Sequence, residues 1–150
     1  MSVVLDANVL LRYAQPTDPA HRTVVTAIAA LRAAGDIPVL VPQTIYEFWV
    51  VATRPVANNG LELAVPECEQ LLKGLMAVFP VLLDPYTLLS AWRTLVTAHD
   101  CKGKLAHDAR YVAAMKTLGL TRLLTFNSTD FTRYPGITVL DPHTVAASNP

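Results

Sequence analysis

Charge is scarce in this chain. Only 16% of its 150 residues are charged, against 52% hydrophobic. That balance excludes an intrinsically disordered polymer, which needs more charge and fewer apolar groups. Long apolar runs are missing as well. The longest charge-free stretches, such as Gly74–Leu83, fall short of the roughly 18–20 residues a membrane span needs. No charged start leads into an apolar core, so a signal peptide is not expected. Cysteine is limited to Cys68 and Cys101, which form neither a CxxC pair nor a zinc spacing. Two reduced core thiols in a cytoplasmic protein are the expectation. Glycine is absent from the turn after the first apolar run, which excludes a dinucleotide-binding fingerprint there. A mean hydropathy of +0.34 with no membrane to absorb it points to a subunit or partner interface.

What is present alternates between strand-like and helix-like segments. Val3–Leu5 is a buried strand closed by Asp6, and Ala7–Tyr13 makes one or two helical turns. Residues 20–34 read as a helix stopped by Gly35, and Ile37–Val41 as a second strand. Thr44–Thr53 is a helix, residues 56–64 a loop, and Pro66 opens a helix over Glu67–Val78. Val81–Leu83 is a short strand, and Pro85–His99 a helix. A polar connection, Asp100–Lys104, leads to a helix over Leu105–Leu118, stopped by Gly119. Arg122–Phe126 and Ile137–Leu140 are the last strands. Strands separated by helices of this length predict an α/β fold with a mainly parallel sheet. One domain over residues 1–141 is expected, with a fraying tail over 142–150.

Open parallel sheets bind ligands beyond the carboxyl ends of their strands. Four acids are predicted near that edge: Asp6, Glu47, Asp108 and Asp130. Each also has a plain structural reading. Asp6 caps the turn after it. Thr44-x-x-Glu47 forms a capping box. Asp108 complements a helix dipole, and Asp130 closes an Asx-type turn. Together, however, they would crowd like charge. Two carboxylates about 4 Å apart repel by about 4 kcal/mol at an effective dielectric of 20. A cation must offset that, and hard oxygen ligands without a Cys/His set point to Mg²⁺ or Mn²⁺.

The segments VVLDANVLLRY, TIYEF, GKLAHDARYVAAM and LLTFNSTDF, in this order, resemble the four motif blocks of PIN-domain ribonucleases. More narrowly, they resemble VapC-type toxins of bacterial toxin–antitoxin pairs. The resemblance runs from Val3 to about Leu140. It implies a three-layer α/β/α fold, an acidic Mg²⁺/Mn²⁺ site and endoribonuclease activity. By motif, Asp6, Glu47 and Asp108 match the family's three most regular acids, and Asp130 a fourth, more variable one. Asn8 matches a residue that orients the first acid, and Thr125 and Asn127 a polar pair beside the metal. Many relatives carry Asp at the position of Asn127. The resemblance also implies an RNA substrate and a VapB-like antitoxin, and the apolar excess suggests a homodimer through helical faces.

A carboxylate-held divalent ion activates water for in-line attack on a phosphodiester, which leaves a 5′-phosphate and a 3′-hydroxyl. The four histidines are scattered, and His107 beside Asp108 points about 100° away on a helix, so a surface or substrate-side role is expected for it. Twelve acids balance twelve bases. With four acids assigned to a metal, the remaining eight leave a surface of about +4 that favours a polyanion. Lys102, Lys104 and Arg110 surround Asp108 and are candidates for phosphate contacts. A haloacid-dehalogenase-like phosphatase needs a second Asp two residues after the first, and position 8 is Asn. The remaining alternative is a non-catalytic PIN-like scaffold whose acids only cap helices.

Overall fold

The computed structural model describes residues 1–148. Four short parallel strands form the central sheet: β1 (Ser2–Leu5), β2 (Ile37–Val39), β3 (Arg122–Leu124) and β4 (Thr138–Leu140), in the order β2-β1-β3-β4. β1 is central, with Val4 beside Val39 on one flank and Leu123 on the other. Its Val3, Val4 and Leu5 are fully buried, as an apolar run covered on both faces requires.

Alternation along β1 separates two cores. Val3 and Leu5 point to one side, with Val9 and Leu10 of α1 (Ala7–Ala14) and Val24 and Ile28 of α2 (His21–Ala33). Phe48 of α3 (Pro42–Thr53) and Leu72 and Leu75 of α4 (Val65–Val78) complete that layer. Val4 points to the other side, toward Leu88 and Leu95 of α5 (Leu88–Ala98) and Val112 and Met115 of α6 (Lys104–Thr117). The sheet is therefore the middle of three layers, α/β/α, as expected.

The elements match the sequence reading with local differences. α2 ends where expected, and Gly35 follows at φ 86°, a conformation that costs glycine little. Val81 forms only an isolated parallel bridge to Leu40, not a strand. The tail expected to fray is folded over 142–147, where α7 (Pro142–Ala147) packs against α2. Asp141 caps it, accepting bonds from the His143 and Thr144 amides at 2.8 and 3.2 Å. Pro142 at the first helical position suits that start. Residues 149 and 150 lie outside the described residues. Cys68 is a buried core thiol, whereas Cys101 is only half-buried, its Sγ 3.4 Å from the Tyr134 hydroxyl. Among the described residues no helix is long and apolar enough to cross a membrane.

Candidate active site

The β1 ladder runs on into Asp6, whose amide donates to the Leu124 carbonyl at 3.0 Å. This pins Asp6 at the carboxyl edge of the two central strands. Its side chain caps no helix end. Instead Oδ2 accepts from the Thr125 hydroxyl at 2.7 Å and from the Asn8 amide at 3.2 Å. Asn8 also reaches Thr125 Oγ1 at 3.3 Å, and that oxygen accepts the Asn127 amide at 3.0 Å. Asp6 is 6% exposed. Burial raises its pKa; the Thr125 bond opposes the rise and the Glu47 charge adds to it.

Glu47 faces the same edge from α3. No capping box forms at Thr44, because α3 begins earlier, at Pro42. The Thr44 hydroxyl is buried and donates to the Leu5 carbonyl at 2.9 Å, tying the helix to β1. The Glu47 carboxylate is held by two groups that sequence reasoning missed. Gln43 Nε2 donates to Oε1 at 2.8 Å, and the Tyr111 hydroxyl to Oε2 at 3.2 Å. Gln43 Nε2 also donates to the His107 carbonyl at 2.8 Å, and its Oε1 accepts Arg110 Nη1 at 3.3 Å. Tyr111 Oη accepts the Ala7 amide at 3.3 Å. Its phenol is pushed well above its ordinary pKa, by burial first and then by the Asp6 and Glu47 charges, so it stays a donor.

Asp108 is the fifth residue of α6, not its start, because the helix opens at Lys104. Its Oδ2 is buried and has no hydrogen-bond partner among the described residues. Burial raises the Asp108 pKa; Lys104 opposes this, while the Asp130 and Asp6 charges reinforce it. A helix-dipole role does not explain an acid turned inward toward other acids.

Asp6, Asn8, Glu47, Asp108 and Asn127 line one cleft of about 730 Å³, with Gln43, Lys104, His107 and Arg110. Asp130 stands outside that lining, in the 3-10 turn Ser128–Asp130, with Oδ2 4.0 Å from Lys104 Nζ. Lys102 lies away from the cleft and pairs with Asp100 at 3.3 Å. Arg110 is part of the wall, its Nη2 2.7 Å from Asp84 Oδ2. His107 also lines the cleft.

Among the described residues no three Asp, Glu, His or Cys side chains converge tightly enough to form a finished metal site. The donor set nevertheless fits a hard cation: three carboxylates on one cleft, one with a buried oxygen that nothing among the described residues satisfies.

No curated protein matches the sequence. Among solved structures, a chain of VapBC2 from Rickettsia felis, bound to a DNA fragment from its promoter, superposes at TM-score 0.66 and 12% identity, covering 94% of this chain and 98% of that one. FitAcB from Neisseria gonorrhoeae gives 0.65 at 19% identity, covering 95% and 98%. VapC20 from Mycobacterium tuberculosis, a toxin that cleaves the sarcin–ricin loop, gives 0.57 at 18%, covering 81% and 86%. At such identities the likeness is one of fold. The PIN domain family matches residues 3–137, and to that family this chain belongs.

Proposed function

We propose that the chain is a Mg²⁺- or Mn²⁺-dependent endoribonuclease, the toxin of a toxin–antitoxin pair. The observation that carries this reading is the unpartnered, buried Asp108 Oδ2 in the cleft that also holds Asp6 and Glu47. Asp6, Glu47 and Asp108 would hold the ion. When bound, the ion activates water and offsets charge on the phosphodiester under attack. Thr125 and Asn8 fix the Asp6 carboxylate, while Tyr111 and Gln43 fix that of Glu47. Asp130 acts at one remove, through its field on Asp108. Asn127 faces the cleft as a neutral polar group beside the phosphate. Cleavage by water leaves a 5′-phosphate and a 3′-hydroxyl.

A scaffold whose acids merely cap helices would show carboxylates bonded to helix-end amides. Asp6 makes no such bond, Glu47 is bonded by side chains from α3 and α6, and Asp108 Oδ2 has no partner. The family and the VapBC-like fold support a VapB-like antitoxin as partner. An apolar stretch near the start of α5 supports a homodimer: Leu83, Tyr86 and Leu89 are 75%, 98% and 67% exposed. Light scattering on the lone chain should give twice the monomer mass. For activity, Asp6→Asn and EDTA should each abolish RNA cleavage by a folded protein, and end-mapping should find 5′-phosphates. Undiminished cleavage by Asp6→Asn, free of contaminating nuclease, would contradict the proposal.

A further inference from the structure

Three basic side chains line the acidic cleft: Arg54, Lys104 and Arg110. Two are already matched, Arg110 by Asp84 and Lys104 by Asp130. Among the described residues Arg54 has no carboxylate within ion-pairing distance. Its guanidinium makes one hydrogen bond, from Nη2 to the Asn59 carbonyl at 3.3 Å. Its Nε is buried with no acceptor.

This arginine is held in place. It directly follows α3 and continues the helix face that carries Gln43, Glu47 and Val50 into the cleft. The segment 55–62 then folds back over it. The Gly60 amide donates to the Pro55 carbonyl, Leu61 to Val51 and Glu62 to Arg54, each at 3.0 Å. A Cβ at Gly60 would collide with the Arg54 carbonyl oxygen and with its Cγ, so only glycine lets the loop close on this stem. Asn59 sits at φ 59° beside it, its carbonyl turned to the guanidinium.

A fixed guanidinium that lines the cleft without a paired carboxylate lacks an anion; its Nε is shut off from solvent, so the contact falls to the terminal nitrogens. Its planar fork suits the paired oxygens of a phosphate. Seven residues of helical rise, about 10 Å, separate its backbone from that of Glu47, which sets Arg54 further along the cleft than the acid. We propose that Arg54 is a phosphate-binding subsite for the RNA strand, engaging a backbone phosphate next to the one that is cleaved. This rests on the ribonuclease reading and names a positioning contact for it.

The test measures binding of a single-stranded, mixed-sequence RNA oligonucleotide against salt, in Mn²⁺, with Asp6→Asn protein so that the strand is not cut. Adding Arg54→Gln should weaken binding and flatten the slope of log K against log[salt] by about 0.7, the value of one phosphate contact on a single strand. Arg54→Lys should keep the slope. Methylphosphonate placed at each phosphate of the oligonucleotide in turn, with Arg54 intact, covers a variant that fails to fold. Loss at one non-scissile position supports the subsite, and indifference at all of them overturns it. An unchanged slope in folded Arg54→Gln, while the otherwise unaltered protein cleaves RNA in Mn²⁺, overturns the subsite alone. If that protein neither binds nor cuts RNA, the ribonuclease reading falls first. If Arg54→Gln spares RNA binding but loosens a co-purified protein partner, the anion is a protein carboxylate and the subsite is overturned.

Discussion

The Thr125 hydroxyl donates to Asp6 Oδ2 across 2.7 Å, joining residues at the carboxyl ends of neighbouring strands β3 and β1. Thr125 is fully buried and Asp6 is exposed only where it lines the cleft, so water replaces the bond at most in part. Thr125→Val keeps the shape and removes the donor. It should cost about 1.5–3 kcal/mol at neutral pH, the range for a bond to a charged group. The deficit should shrink in acid, where Asp6 becomes protonated. Chemical denaturation of both proteins at two pH values checks this.

Tyr111→Phe removes the hydroxyl that links the Ala7 amide to Glu47. The ring can stay, but a buried amide and a carboxylate each lose a partner. A stability loss of about 1–3 kcal/mol is expected, with a fall in RNA cleavage larger than the loss of folded protein explains. Cleavage rates measured well below the mutant's melting temperature separate the two effects.

Asp141→Ala should cost about 0.5–2 kcal/mol, because Asp141 is the N-cap of α7 and accepts two amides there. Since α7 packs on α2 and not on the cleft, RNA cleavage at low temperature should be unchanged. A thermal melt paired with an activity assay reads both.

The metal-free protein should gain stability as pH falls from 7 toward about 5. The folded-state pKa values of Asp6 and Asp108 are raised, so in that range the native state binds more protons than the unfolded one. A raised carboxylate costs stability above its unfolded pKa of about 4, and acid relieves the cost. Asp36 works the other way. Its bond from Arg122, 2.7 Å long, lowers its pKa below 3.8. Its contribution is present above that value and is lost only below it. An acid-side stability maximum in EDTA, flattened by Mn²⁺, is the expected profile in pH-dependent melts.

Much of this organisation is legible in the sequence, for local reasons. Val3–Leu5 followed by Asp6 shows a buried strand with an acid at its exit. Apolar periodicity places Glu47 and Asp108 on helices that follow. What escapes the sequence depends on packing between elements distant in the chain. Gln43 reads as an ordinary polar residue near a helix start until α6 brings the His107 carbonyl and Arg110 against it. Tyr111 looks like core; only its spacing of three residues from Asp108, one helix face, hinted at the site. Lys102 and Lys104 are near neighbours in sequence, yet only Lys104 lines the cleft, because the turn at Gly103 separates them. Asp141-Pro142 carried a cap signal that the lack of periodicity after it obscured.

The most direct measurement compares melting temperatures of wild type and Asp108→Asn, each in EDTA and in saturating Mn²⁺. If Asp108 faces other acids with a buried, unpartnered oxygen, the substitution should raise the metal-free melting temperature by a few degrees, for relief on the order of 1 kcal/mol. Mn²⁺ should stabilise the wild type through binding to the native state and shrink or reverse the difference. A mutant that is less stable in EDTA, and by the same amount in Mn²⁺, would contradict a cation site built on Asp6, Glu47 and Asp108.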